Sequence, residues 1–102
     1  MTILNGKRVL ITGGTGSLGK VLLRRLLSGK NGSPKKIVVL SRDEAKQHYL
    51  RLELKQNLMQ TDEVIYHNFE ELVQFRIGDV RDFHSVSAAL RNIDVVFNAA
   101  AL

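Results

Sequence analysis

The chain lacks cysteine and long apolar runs, and each absence removes a class of protein. None of its 102 residues is cysteine, which excludes disulfide bonds and thiolate metal sites. No apolar stretch approaches the ~20 residues that a membrane-spanning helix requires. Residues 1–8 also lack the apolar region of a secretory signal. These absences predict a cytoplasmic protein that has no membrane partner.

Aromatic side chains are scarce beside the positive charge. Lysine and arginine number 15 against 10 acidic residues, which gives a net charge of +5. A surface that stacks nucleic-acid bases needs aromatic rings among its cations. None interleave with the cluster formed by Arg24, Arg25, Lys30, Lys35 and Lys36. We interpret that cluster as a solvated helix face and loop, and we expect no nucleic-acid partner.

The first apolar run leads directly into a glycine-rich turn and then a helix. Gly13, Gly14, Gly16 and Gly19 fit G-x-G-x-x-G when counted from Gly14, and G-x-x-G-x-x-G when counted from Gly13. Such glycines permit a tight turn and let bare backbone approach a pyrophosphate. The helix N-terminus adds unpaired N–H groups and the positive end of its dipole. The stretch predicts a dinucleotide site.

A second class of phosphate loop fits part of the same stretch. Gly14 to Lys20 reads G-x-x-x-x-G-K, but the next residue, Val21, has no oxygen to bind magnesium. The apolar run at residues 95–97 ends in Asn98, so no clear Walker B strand follows. We therefore favour a dinucleotide over a nucleoside triphosphate.

Strand-like and helix-like patterns alternate along the chain. The predicted strands are residues 7–12, 36–40, 73–77 and 93–97, and the predicted helices are residues 17–28, 44 to about 57, and 83–91. Parallel connections with right-handed crossovers give an α/β, doubly wound (Rossmann) sheet of four strands in the order 3-2-1-4, with helices on both faces. Residues 57–71 fit neither pattern and are interpreted as an irregular or partly helical insertion.

The periodicity also predicts how each helix is buried and where the second one begins. The expected apolar faces are Leu18, Leu22 and Leu26 with Val21 on the first helix, Ala45, Tyr49 and Leu52 on the second, with Leu50 and Leu54 as a looser second row, and Phe83, Val86 and Leu90 on the third. Ser41 and Glu44 form a capping-box pair at the start of the second helix.

A hydroxyl and two cations follow the second strand, where this fold recognises the adenosine ribose. Ser41 ends the strand, Arg42 follows, and Lys46 lies one helical turn further on. Arginine can engage a 2′-phosphate through two parallel N–H bonds, so these residues favour NADP. Asp43 would repel that phosphate, so NAD stays open as the alternative.

Polar and small residues follow the third and fourth strands at the same edge of the sheet. Asp79 could accept a hydrogen bond from an adenine amino group with Val80 against the ring, or could simply end its strand. The small residues Ala99 to Ala101 would let a cofactor approach, although close packing explains them nearly as well. Histidine and acidic residues show no metal-ligand spacing or catalytic pair, so we predict no metal site.

Four stretches carry a family resemblance: residues 9–19, Ser41-Arg42-Asp43-Glu44-Ala45-Lys46-Gln47, Gly78-Asp79-Val80-Arg81-Asp82, and residues 95–102. Together they resemble the extended short-chain dehydrogenase/reductases, and more narrowly the UDP-N-acetylglucosamine 4,6-dehydratases of polysaccharide biosynthesis. The glycine motif belongs to the whole superfamily, whereas the run from Ser41 points to the narrower group.

The resemblance implies a complete set of cofactor contacts. The pyrophosphate of NADP would be held by Gly13, Thr15, Gly16, Ser17 and Leu18, with Gly19 completing the motif. The 2′-phosphate would be held by Ser41, Arg42 and Lys46. The adenine would meet Asp79 and Val80, and the path toward the nicotinamide would be lined by Ala99, Ala100 and Ala101.

The resemblance also implies a reaction and a longer, homo-oligomeric enzyme. In such lyases NADP⁺ takes hydride from the sugar C4, water leaves across C5 and C6, and the hydride returns at C6; some members invert C5. The family's Tyr-x-x-x-Lys pair would lie beyond Leu102, because Tyr49 and Tyr66 each have glutamate four residues later. No catalytic residue is therefore assigned.

We expect residues 1–102 to form the dinucleotide-binding, N-terminal part of that enzyme, with a sheet incomplete relative to the full family fold. This part alone would be inactive, and the nucleotide sugar would bind to the missing C-terminal region. The alternative interpretation is a non-catalytic NAD(P)-binding sensing or interaction module.

Overall fold

One parallel sheet organises the protein, whose computed structural model describes residues 3–13, 16–29, 32–61 and 70–99. The strands are β1 (Arg8–Thr12), β2 (Lys36–Ser41), β3 (Val73–Ile77) and β4 (Val95–Asn98). The helices are α1 (Ser17–Leu27), α2 (Glu44–Thr61) and α3 (Phe83–Ala89). The strands lie in the order β3-β2-β1-β4, and every pairing is parallel. The predicted doubly wound sheet and its strand order are confirmed.

Alternate side chains of the central strands enter two separate cores. The core beside α1 and α2 contains Val9, Ile11, Leu23, Leu26, Leu27, Ile37, Val39 and Leu50. The core beside α3 contains Leu10, Val38, Leu40 and Ala89. Because helices cover both faces, the middle of β1 and of β2 is buried throughout, which is why both strands read as continuous apolar runs.

The predicted apolar face of α1 is partly wrong. Leu18 and Val21 are exposed, and the buried face instead includes Leu23 and Leu27. This face begins at Gly19, which is buried and lies one helical turn before Leu23. A glycine at the contact lets the helix backbone come close to the sheet, so the helix turns its glycine side inward rather than its first leucine.

The predicted faces of the other two helices are also partly wrong, since among the side chains that the structure describes only Leu50, from the predicted second row of α2, is buried and Val86 of α3 is half-buried. On α2 the expected face is exposed, including Tyr49 and Leu52, whereas Leu50 is buried. On α3 the side chain of Phe83 is 77 % exposed and Ala89 makes the buried contact. Both helices carry apolar residues on more than one side, so periodicity alone does not decide which side packs.

The start of α2 differs from the predicted capping box. The Asp43 carboxylate accepts a hydrogen bond from the backbone N–H of Lys46 at 3.0 Å, and the Asp43 carbonyl accepts the first helical bond from Gln47. Asp43 is therefore the N-cap, and Glu44 is the first helical residue. At the other end, α2 continues to Thr61, beyond the predicted end near residue 57.

Two boundaries are displaced around β4. The strand begins at Val95 rather than at residue 93, because the Ile93 N–H donates to the Leu90 carbonyl at 3.1 Å and so belongs to the turn after α3. Asp94 joins β1 just before the ladder starts, since its N–H donates to the Arg8 carbonyl and its carboxylate accepts from the Arg8 N–H, both at 2.9 Å.

As predicted, Asp82 caps α3 by accepting from the His84 N–H. No helix in the described ranges is long and apolar enough to cross a membrane.

Candidate dinucleotide site at the carboxyl edge of the sheet

The loops that leave the strands are tied to neighbouring strands at one edge of the sheet. The Gly13 N–H donates to the Leu40 carbonyl at 3.0 Å, and the Ala99 N–H donates to the Thr12 carbonyl at 2.8 Å. The Gly78 N–H donates to the Ser41 carbonyl at 3.0 Å. Each bond continues the ladder by one residue past a strand end, so the loops bearing the predicted site residues converge there.

The glycine turn starts α1 without a side-chain cap. Gly13 has a φ of 70°, which favours glycine, and its carbonyl accepts from the Gly16 N–H at 3.2 Å. Gly16 is the N-cap in an extended conformation, no side chain caps it, and the first turn holds no acidic residue. The amide groups and dipole at this end of α1 are therefore suited to an anion.

Gly16 is not required by the fold of the described residues. Its φ is −81°, which any residue can adopt, and a Cβ built on it would meet only the Gly13 carbonyl oxygen, at 3.7 Å. Gly78 differs, because a Cβ there would lie 2.8 Å from the Leu40 Cδ1. Glycine at position 78 serves packing, whereas at position 16 the part of the chain that the structure describes places only the Gly13 oxygen near an added Cβ.

The ends of β1 and β4 are joined through polar side chains. The Thr12 hydroxyl donates to the Asn98 Oδ1 at 2.8 Å. This bond fixes the point where the glycine turn leaves β1, directly beside the start of the Ala99 segment. Sequence reasoning noted Asn98 but missed Thr12; the available signal was a hydroxyl at the end of a buried apolar strand.

The residues predicted to recognise a 2′-phosphate lie at the end of β2 and in the first turn of α2. The Ser41 side chain is buried, and its hydroxyl accepts from the Asp43 N–H at 3.2 Å. Arg42 is exposed, and its Nη1 lies 4.0 Å from the Asp79 Oδ2. Lys46 is exposed in the first turn of α2. The side chain of Arg42 therefore lies next to the start of the loop that follows β3.

Two arginine side chains, those of Arg81 and Arg42, lie close to the Asp79 carboxylate. Its Oδ2 accepts from the Arg81 Nη2 at 2.9 Å, and its Oδ1 accepts from the Arg81 Nε at 3.2 Å and from the Arg81 backbone N–H at 2.9 Å. These hydrogen bonds, aided by the charges of Arg81 and Arg42, lower the pKa of Asp79 to about 2. An adenine contact would have to share this carboxylate with Arg81, a residue that sequence reasoning missed.

Gln47 is a further residue that sequence reasoning missed. Its side chain is 5 % exposed, and its Nε2 donates to the Arg76 carbonyl at 2.9 Å and to the Ser41 carbonyl at 3.3 Å. One amide group thus ties α2 to the ends of β2 and β3. The contact with Arg76 spans 29 residues of sequence, so local periodicity held no signal for it.

Replacing Gln47 with leucine is expected to lower the free energy of unfolding by about 1–2 kcal/mol, because the Arg76 carbonyl loses the Gln47 donor and the Ser41 carbonyl keeps only its bond from the Gly78 N–H. Urea denaturation monitored by circular dichroism measures this change. The matched control is Gln56→Leu on the exposed side of α2, which should shift stability by less than about 0.5 kcal/mol. Equal effects of the two variants would contradict the role given to Gln47.

The remaining predicted residues divide between described and undescribed positions. Leu18 and Val80 are exposed, Gly19 is buried, and Ala99 packs against the core beside α1. The predicted contacts at Thr15, Ala100 and Ala101 lie outside the described residues, as does Gly14. Within the described ranges, no three His, Cys, Asp or Glu residues are grouped so that they could hold a metal ion.

Residues 9–102 match the family described as polysaccharide biosynthesis proteins. The chain belongs to this family. A UDP-N-acetylglucosamine 4,6-dehydratase (inverting) of Campylobacter jejuni is 41 % identical over 100 residues, which cover 98 % of this chain and 25 % of the relative. A UDP-glucose 4-epimerase of Rickettsia conorii is 40 % identical over 97 residues, which cover 94 % of this chain and 24 % of the relative. The predicted family is thus confirmed.

Among solved structures, this member of the polysaccharide biosynthesis family is similar to Pen from Bacillus thuringiensis. The TM-score is 0.76 and the identity is 35 %, over 99 % of this chain and 26 % of that one. The chain therefore spans about a quarter of the length of the curated relatives and of this structure. Its relatives include both dehydratases and epimerases that act on nucleotide sugars, according to their names.

Proposed function

We propose that this chain is the NADP-binding portion of a nucleotide-sugar 4,6-dehydratase of the UDP-N-acetylglucosamine type. The observation that carries the cofactor assignment is the place of Arg42, whose guanidinium lies 4.0 Å from the Asp79 carboxylate at the carboxyl edge of the sheet. A cation immediately beyond β2 suits the 2′-phosphate that distinguishes NADP from NAD. The similarity to the Campylobacter dehydratase supports the sugar class and the reaction.

The residues at this edge suit the chemistry of three parts of NADP, namely the pyrophosphate, the 2′-phosphate and the adenine. Gly16 leaves room for a pyrophosphate at the uncapped start of α1, where the helix dipole favours negative charge. Arg42 and Lys46 would supply cations to the 2′-phosphate, with the Ser41 hydroxyl beside them. Asp79 and Val80 would border the adenine. These residues therefore suit the dinucleotide that the family resemblance implies.

In the proposed reaction, this chain binds and orients the cofactor, and we assign catalytic work to none of its residues. When bound, the nicotinamide would accept hydride from the sugar C4 and return it at C6 after water leaves across C5 and C6. Proton transfer would belong to a Tyr-x-x-x-Lys pair in the part of the enzyme that binds the nucleotide sugar.

A second candidate is a nucleotide-sugar 4-epimerase, which the similarity to the Rickettsia enzyme favours. An epimerase would use the same dinucleotide site, because inversion at C4 also starts with oxidation there. The two candidates therefore differ in the fate of water rather than in the cofactor. A non-catalytic sensing module gains no support, since the relatives described above are named for enzymes.

Calorimetric titration of the chain with NADP⁺ and NAD⁺ tests the cofactor assignment. We expect NADP⁺ to bind about tenfold more tightly, because its additional phosphate gains at least one charge-assisted contact. Equal affinities would refute the assignment to NADP.

The reaction is tested with the complete gene product, UDP-N-acetylglucosamine and NMR detection of the sugar. A 4-keto-6-deoxy product supports the dehydratase. A C4 epimer formed without loss of water would support the second candidate, and cofactor binding with no sugar conversion would favour the non-catalytic module.

A further inference from the structure

A cationic cavity of about 230 Å³ lies beneath α3, away from the glycine turn. Its polar lining consists of Arg8, Lys36, Arg76, Arg91, Gln74 and Asn92. Arg8 and Lys36 are the first residues of β1 and β2 and are paired in register. Arg91 follows the end of α3, so the cations come from four separate parts of the chain and converge on one space.

These cations stand on a sheet face that would ordinarily be apolar. Arg8 and Leu10 lie two residues apart in β1, and Lys36 and Val38 lie two residues apart in β2, so all four occupy the same face of the sheet. Leu10 and Val38 form part of the core beside α3. Positions of a parallel sheet that face a helix are usually filled by Val, Ile or Leu. The chain instead places charge at the border of this core, with Ala89 as the small contact between helix and sheet.

The positive charge in the cavity is not neutralised by the described part of the chain. Within that part, the ion pairs join other residues, and no carboxylate pairs with any of the four cations. The nearby carboxylate of Asp94 accepts from the backbone N–H of Arg8 rather than from its guanidinium. Lys36, Arg76 and Arg91 are exposed and Arg8 is half-buried, so water screens much of their mutual repulsion, and the four cations remain available to an anion from solvent.

We propose that this cavity binds a diphosphate, either free or as the diphosphate of a nucleotide, at a site separate from the dinucleotide turn. A single phosphate group carries a charge of at most about −2, so a diphosphate comes closer to balancing the four cations. Arginine forks suit phosphate oxygens, and the Gln74 and Asn92 amides add uncharged donors. None of the residues that line this cavity is among those assigned to NADP.

The test is a titration of the ¹⁵N-labelled 102-residue chain with inorganic pyrophosphate, followed by two-dimensional NMR. We expect saturable shift changes at the amides of Arg8, Lys36, Arg76 and Arg91. Arg76→Gln and Arg91→Gln should each weaken binding about tenfold. The control, Arg24→Gln, removes the same charge from the exposed side of α1 and should change the affinity less than twofold.

Thermal unfolding provides a second readout that separates a binding role from a structural one. If Arg91 serves the anion, Arg91→Gln should melt at the same or a higher temperature than the parent chain and lose the upward shift that pyrophosphate gives the parent. If Arg91 only supports the end of α3, the variant should melt lower and keep that shift, which would overturn the proposal.

Two further arms identify the anion. Tighter binding of UDP than of pyrophosphate indicates the diphosphate of a nucleotide, and equal affinity indicates the free diphosphate. Shift changes confined to residues 16–19, or equal weakening by Arg24→Gln, would overturn the proposal. Tighter binding of a short single-stranded oligonucleotide at the same amides would replace it with a nucleic-acid surface.

Discussion

Gly16→Ala should weaken NADP⁺ binding at least tenfold, an estimate of about 1.4 kcal/mol or more. The new Cβ would enter the space at the uncapped start of α1, where the pyrophosphate has to approach the backbone. The fold itself should tolerate the change, because among the described residues 3–13 and 16–29 that Cβ meets only the Gly13 oxygen, at an ordinary contact distance of 3.7 Å. Alanine is a poorer N-cap than glycine, which should cost less than about 1 kcal/mol of stability.

A control at the other end of α1 separates binding from folding. Gly29 has a φ of 79°, so Gly29→Ala places a side chain in a strained backbone conformation and should destabilise the chain by about 1 kcal/mol. Its affinity for NADP⁺ should nevertheless be unchanged under conditions where the variant is folded. Calorimetry and urea denaturation on both variants measure the two effects, and unaltered NADP⁺ affinity in Gly16→Ala would remove the basis for a pyrophosphate site at this turn.

Arg42→Ala should lower the affinity for NADP⁺ about tenfold while changing that for NAD⁺ less than twofold. The reason is that Arg42 is exposed beyond β2 and would contact only the phosphate that NAD lacks. Arg42→Lys keeps the charge but loses the two-pronged donor, so an intermediate loss is expected. The measurement is the ratio of the two dissociation constants, determined by titration at one fixed salt concentration.

Charge alone must be separated from position in this experiment. Arg24→Ala removes an exposed arginine from α1, so it changes the net charge equally. It should leave the ratio of the two dissociation constants unaltered. An equal loss for both cofactors in Arg42→Ala would mean that the side chain supports the loop after β2 rather than recognising a 2′-phosphate.

The central strands could be predicted because their environment leaves little choice. The middle of β1 and of β2 is covered on both faces, so each shows as an uninterrupted apolar run, and the glycine turn fixes the direction of the chain after β1. Once four strands joined by long connections are accepted, handedness restricts the strand order to few arrangements. The positions of the loops at the carboxyl edge then follow.

The helix faces and several contacts could not be predicted, because they depend on partners distant in sequence. Apolar residues occur on several sides of α2. Leu50 is buried and Tyr49 is exposed because of where the sheet lies, and spacing along the helix does not determine this. Gln47 likewise finds its acceptor on Arg76 only after β3 has paired with β2. For the site, the sequence predicted which residue types each loop carries. It did not predict the ion pair between Arg81 and Asp79, which only the structure shows.

The carboxylate of Asp79 has a consequence for how a phosphate would arrive. With its pKa lowered to about 2, it remains ionised under ordinary conditions and keeps Arg81 bound and Arg42 near. The paired hydrogen bonds of Arg81 restrict its rotational freedom, whereas Arg42, at 4.0 Å and mostly exposed, stays free to turn toward a ligand. An incoming phosphate would replace the Asp79 carboxylate as the partner of Arg42. Such a replacement lowers the gain in affinity and favours selectivity.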